Sequence, residues 1–400
     1  MVPLPPVITD GEIHAWHLAT RKPVRVRWAD GCITHSEEVL SAPPQDQWIA
    51  PGLVDLQVNG YAGIDFQAND LTVDDLLVAV RGLRSAGCTS FLLALITDEW
   101  PRLMDRLRRL CSLRSRSAEL QAAITGWHIE GPFLSAEPGF HGAHDASCMR
   151  DPSPEHIQEL RATAGADPLL LTLSPERPGA LTAIEAAISN RIVVSLGHTD
   201  ASADILGQAV QAGARAFTHL GNGCPRALDR HDNILWRVFE TTGLMVSLIP
   251  DQIHVSPPLF RLIHRVLDPE WIYYTTDAMS AAGAPPGRYG LGKLELHVGA
   301  DQIVRQPGSA LFAGSALRPI DGIFRAAQML GRSWKEVWPR FSTTPAKLVG
   351  LKSDLAIGQP ANFCLLTMDG ENRLLNLAVY ANGCLHPAGH SPIPVPQTEA

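Results

Sequence analysis

The sequence predicts an α/β protein: a (β/α)8 TIM-type barrel with a small β-sandwich domain formed by both chain ends. Three observations predict it. Strand-length apolar runs recur eight times, at 53–58, 90–96, 124–129, 169–173, 192–196, 216–219, 244–249 and 271–276, each followed by a helical or loop segment. Chemistry-bearing polar residues stand at the carboxyl ends of many of these runs, which is where a closed ring of parallel strands gathers its ligands. An open doubly wound sheet competes, but so many polar strand ends favour closure. The chain ends, finally, read as short strands and turns, with too few residues on either side to build a core alone.

In chain order, residues 1–50 supply the first part of the small domain. Alternation over 23–28, the turn Asp30-Gly31 and the run 32–34 suggest a hairpin, and Pro43-Pro44 closes this piece. The barrel is assigned to 51–345. Thr72 caps its first helix, with Asp74 and Asp75 in the turn where the helix dipole favours them. Helical patterns follow at 100–113, 155–163, 181–189 and 258–266. Residues 285–305 break the rhythm and read as a hairpin inserted after the eighth strand. Residues 346–400 complete the small domain, with strands returning at 358–366.

Bulk composition narrows the partners. A formal charge of −8 leaves no basic footprint for nucleic acid and no polybasic membrane patch. Residues 1–16 lack a basic and then apolar leader, and no apolar run nears the ~20 residues of a spanning helix. The seven cysteines are scattered without a CxxC pair, as expected of free thiols in the cytoplasm. Cys224 is read as a buried, inert one.

The stretch 191–225 organises the site. It reads as strand, His198, helix, strand, His219: one βαβ unit with an imidazole after each strand. The third strand ends in Glu130, and together these residues make the two-His, one-carboxylate set of a catalytic zinc site with an open position. Asp277, after the strand that neighbours the first, can take a proton from water and return it to a leaving group. Strand alternation leaves His128 open as a further ligand, since it shares a face with Glu130. His14, His17, His35, His156, His264 and His386 are read as surface residues.

These residues carry a resemblance. The segments PGLVDLQVNGYAGIDF (51–66), HIEGPFLS (128–135), SLGHTDAS (195–202), FTHLGNG (217–223), DQIHV (251–255), TTDAM (275–279) and AGS (313–315) are similar, in order, to those of the amidohydrolase superfamily. Within it they resemble the N-acetylglucosamine-6-phosphate deacetylase family. The resemblance implies that Glu130, His198 and His219 hold the metal, that Asp277 is the acid/base, and that His128 is left out. It also implies that His141 approaches the acetamide carbonyl, and that Asn222 and Gly223 contact the sugar phosphate. Arg230 and His254 are expected to bind substrate from the neighbouring subunit of a homodimer.

Two features depart from the common pattern. Strand one ends in Gln57-x-Asn59 rather than His-x-His; amides are poor zinc ligands, so one divalent ion per subunit, Zn2+, is expected. The loop 220–225 lacks the aromatic and Ala-Met that usually surround Asn222, which leaves the sugar epimer open. The expected activity is metal-dependent hydrolysis of an N-acetyl amino-sugar phosphate. Competing readings are an amidohydrolase of another N-acyl sugar, N-acyl amino acid or cyclic amide, and a barrel that only binds.

Overall fold

The computed structural model describes residues 9–308, 312–371 and 373–387. Stretches 1–8 and 388–400, assigned above to the small domain, lie outside the described residues. Eight parallel strands form the barrel: Leu53–Val58, Cys88–Ile96, Ile124–Glu130, Leu169–Leu173, Val193–Leu196, Ala216–Phe217, Met245–Leu248 and Ile272–Tyr274. They pair in sequence order, and a parallel bridge between Val58 and Ala278 brings the last back to the first. Every residue of the first and fourth strands is buried, because helices cover one face and the barrel core the other. Thr72 caps its helix as expected, in a reciprocal box with Asp75.

The barrel is filled in layers. Val54, Leu56, Leu92, Leu170, Ala216 and Tyr273 pack with Ala346 and Val349 to plug the floor. Asp55 stitches the seam: its buried carboxylate accepts from the hydroxyls of Thr275 (2.5 Å) and Thr276 (2.6 Å) and from the Thr276 amide (3.1 Å). Burial raises its pKa to about 6 against the pull of those donors.

Higher up lies His128. Its Nδ1 meets the Leu56 carbonyl (2.9 Å) and its Nε2 the Thr172 hydroxyl (2.8 Å). Thr172 in turn bonds Thr218 (2.8 Å), which bonds Ser195 (2.7 Å). Both ring nitrogens are therefore engaged one layer below Glu130, and His128 is a core residue rather than a ligand.

Acid stability follows from such rings. Burial lowers His128 and His264 to about 4, against ~6.5 for an exposed histidine. His264, read from sequence as a surface residue, is partly buried and bonds the Phe260 carbonyl and the Tyr274 hydroxyl, each at 2.8 Å. With the folded pKa depressed, the neutral ring's contribution is complete above ~6.5 and is lost as pH falls towards 4. Each ring then costs up to about 3 kcal/mol, because the unfolded chain takes the proton first. Urea midpoints are expected to drop between pH 7 and 4.5, with a shallower drop in His264→Phe; an identical slope would remove His264 from the account.

The chain ends do join. The strand Gln47–Pro51 pairs antiparallel with Phe363–Met368, completing one seven-stranded sheet with Gly11–His17, Pro23–Ala29, Cys32–Glu38, Leu374–Ala381 and Cys384–Pro387. The two layers are halves of this one curled sheet. Trp28 packs edge-on to Phe363 (5.3 Å) and Tyr380 (5.2 Å), which lie on strands not adjacent to its own. Val24, Val26, Ile33 and Ile49 fill the space between.

The inserted segment is a three-stranded antiparallel sheet, Gly287–Leu291, Leu294–Val298 and Val304–Arg305, rather than a simple hairpin. A third strand forms because Val304 can pair with Val298 and bury beside Met279 and Leu296. Among the described residues no helix is long and apolar enough to cross a membrane.

Candidate metal centre and active site

His198, His219 and Asp277 each sit just past a barrel strand with positive φ, at 53°, 33° and 51°. Left-handed backbone in non-glycine residues costs about 1–3 kcal/mol each and persists only where neighbours hold it. Here the neighbouring strands do so. The Ser174 hydroxyl donates to the His198 carbonyl (2.7 Å), the His219 amide to the Ser247 hydroxyl (2.6 Å), and the Ser315 amide to the Asp277 carbonyl (2.8 Å). The strand ends thus turn inward and deliver their side chains to one cavity of about 340 Å3 at the barrel mouth.

In that cavity Glu130 Oε1 lies 2.9 Å from His219 Nε2 and 3.4 Å from His198 Nε2, and the two Nε2 atoms are 3.2 Å apart. His198 Nδ1 faces the Phe140 carbonyl at 2.8 Å and so must carry its proton there. A neutral His198 then presents a bare Nε2 to the other two groups. Three acceptor atoms converging without a proton for each is what a cation resolves, and the donor set suits zinc.

His144 completes the cluster. Its Nε2 lies 3.6 Å from Glu130 Oε2, and its ring stands edge-on to His198 at 4.6 Å. Ligand atoms of Glu130, His144 and His198 all fall within 4.8 Å of one another.

The two carboxylates are tuned apart. Burial pushes Glu130 up, but the short contacts with the His198 and His219 rings and the adjacent His144 overcome it and hold it well below the usual range. Burial and the nearby charge of Glu130 push Asp277 well above it. One group is thereby kept as an anion and the other made proton-seeking, a division suited to a ligand and an acid/base. Burial and the neighbouring His198 lower His144 to about 3.

Gln57 Nε2 (3.0 Å) and Asn59 Nδ2 (2.7 Å) both donate to Asp277 Oδ1. The amides that stand where the common pattern has histidines therefore hold Asp277.

Asn222, Gly223 and His254 line the same cavity, with His254 Nδ1 anchored on Asp251 Oδ2 at 2.6 Å. His254 reaches the cavity of its own chain, so the expectation that it comes from a neighbouring subunit is not needed to place it. Cys224 also lines it, and burial raises its thiol.

Two expected residues lie elsewhere. Arg230 is exposed outside the cavity, whereas Arg226 lines it. His141 faces an adjoining cavity and bonds the His144 carbonyl at 3.2 Å. The sequence singles out His141, whereas the structure brings His144, three residues on in the same Gly-His loop, to the cluster.

That loop packs tightly on His198. A Cβ at Gly142, where φ is +58°, would sit 3.0 Å from the His198 ring, and one at Gly223, φ +61°, 2.9 Å. Gly142→Ala is expected to tilt His198 and lower metal affinity about tenfold, on the scale of lost ligand support. Metal content after dialysis checks this.

No protein-family model matches the chain. The N-acetylglucosamine-6-phosphate deacetylases of Rattus norvegicus and Homo sapiens are 32% and 31% identical to it over 337 and 332 residues, covering 80% of this chain and 79% of each relative. Among solved structures, the N-acetyl-D-glucosamine-6-phosphate deacetylase of Mycobacterium smegmatis in complex with N-acetyl-D-glucosamine-6-phosphate has a TM-score of 0.80 at 29% identity. That match covers 91% of this chain and 95% of the other. The corresponding protein of Pasteurella multocida has a TM-score of 0.81 at 25% identity, over 94% and 98%.

Proposed function

This chain belongs to the N-acetylglucosamine-6-phosphate deacetylase family, and on that premise we propose how its own residues perform the reaction. It is an amide hydrolase that releases acetate from N-acetylglucosamine 6-phosphate and leaves glucosamine 6-phosphate. The observation that carries the reading is the meeting of Glu130, His198, His219 and Asp277 in one cavity.

Glu130, His198 and His219 would hold one divalent ion, Zn2+, with no second ion because Gln57 and Asn59 are committed to Asp277. Such an ion polarises a carbonyl and makes hydroxide available near neutral pH.

Asp277 takes the proton of the attacking water at Oδ2, since Oδ1 is occupied by the two amides, and passes it to the departing nitrogen. The contact with the acetamide oxygen expected of His141 is better made by His144, whose buried ring stands beside Glu130. Asn222, Gly223, His254 and Arg226 meet the sugar phosphate, where a guanidinium offers a bidentate fork. Arg230, exposed on the same loop, would serve a neighbouring subunit in a homodimer. All seven cysteines are free, as suits the cytoplasm.

Acetate release from N-acetylglucosamine 6-phosphate, its galacto epimer and the unphosphorylated sugar tests this reading. Loss of the phosphate is expected to lower kcat/KM at least 100-fold, and comparable turnover of the plain sugar would overturn the assignment of substrate.

A further inference from the structure

We propose that the cavity on the far side of the 139–144 loop is a monocarboxylate site through which the released acetate leaves. The proposal rests on the deacetylase reading. This second cavity, about 990 Å3, shares Ile96, Gly142, Ala143, His144 and Leu291 with the first, so only a short wall divides it from the cluster. His144 belongs to both cavities. Its Nε2 is turned to Glu130, while its Nδ1 is buried without a protein partner among the described residues.

The second cavity is lined by Arg102, Arg106, Arg109 and Lys293, and its carboxylates are committed. Asp98 holds Arg106 at 2.9 Å, Asp105 holds Arg108 at 2.7 Å, and Asp145 accepts from the Ser147 amide and hydroxyl as well as from Lys293. Arg102 lies 3.8 Å from Glu99, both of them exposed. Arg109 differs: it donates to the Ala68 carbonyl, and among the described residues no carboxylate lies within 4.0 Å of it. A guanidinium has five donors, so most of this fork remains for an anion. Burial and the neighbouring Arg106 charge depress Arg109 against the pull of Asp70, and a bound carboxylate would relieve this further.

The two products then separate by chemistry. The sugar phosphate is retained in the smaller cavity by its anchors, and the small carboxylate passes the shared wall to the guanidinium of Arg109.

Product inhibition by sodium acetate, with the sugar phosphate varied, tests this. Acetate in the second cavity coexists with substrate, so inhibition is expected to be noncompetitive. Arg109→Met and Lys293→Met should each raise the acetate inhibition constant about tenfold, the loss of a charge-assisted contact. Lys293 is 60% exposed, so its variant keeps the test open if Arg109→Met fails to fold. Arg81→Met, an exposed arginine paired with Glu119 where neither residue lines the cavity, should leave the constant unaltered. Competitive inhibition, or an unchanged constant in both cavity variants, overturns the proposal. Absence of acetate release from the unsubstituted enzyme would instead remove the deacetylase reading, and the proposal with it.

Discussion

Asp277→Asn is expected to lower kcat by about 10³–10⁴-fold while KM and metal content change little, the loss typical of a group that serves as both base and acid. The substitution is nearly isosteric. Gln57 and Asn59 can still donate to the amide oxygen, so the side chain keeps its place and only the proton acceptor is lost. Stability should not fall with activity. The Asp277 anion is disfavoured by burial and by Glu130, so a neutral amide removes a cost that the fold bears for function. Three measurements together decide it: acetate release, metal per chain and Tm. Activity within tenfold of the parent would end the acid/base assignment.

Much of this geometry was legible because parallel strands buried on both faces write themselves as unbroken apolar runs. The polar residue that ends such a run is therefore conspicuous. Glu130, His198, His219 and Asp277 were all found that way, and the structure brings them together. His128 was not decidable by alternation, since residues two apart on a strand share a face. Depth along the barrel axis separates them, and depth has no sequence period. His144 was missed because it lies in a loop, where position follows from turn geometry. The signal available was a second histidine beside Gly142, whose left-handed φ lets the chain fold back over His198. Arg230, expected to serve a neighbouring subunit, is exposed outside the cavity of its own chain, where the irregular loop after His219 brings Arg226 instead.

Chelation should remove activity, and a divalent ion should restore it, but the sharper consequence concerns Glu130. Its side chain is 3% exposed and is surrounded by three imidazoles, so its charge is the main attraction the centre offers a cation. Glu130→Gln keeps the volume and removes that charge. Metal affinity is expected to fall by well over 100-fold, more than the 10–100-fold that follows loss of an outer supporting group. Metal that binds only the folded chain stabilises it by RT ln(1 + [M]/Kd), about 4 kcal/mol at a thousand times Kd. Added metal should therefore raise the Tm of the parent protein and leave that of Glu130→Gln nearly unmoved at the same concentration. This comparison does not depend on turnover, so it separates a lost ligand from a lost catalytic group: Asp277→Asn should still gain stability from metal where Glu130→Gln does not. Equal gains in both variants would mean that the cation is held elsewhere than at the convergence of the third, fifth and sixth strands.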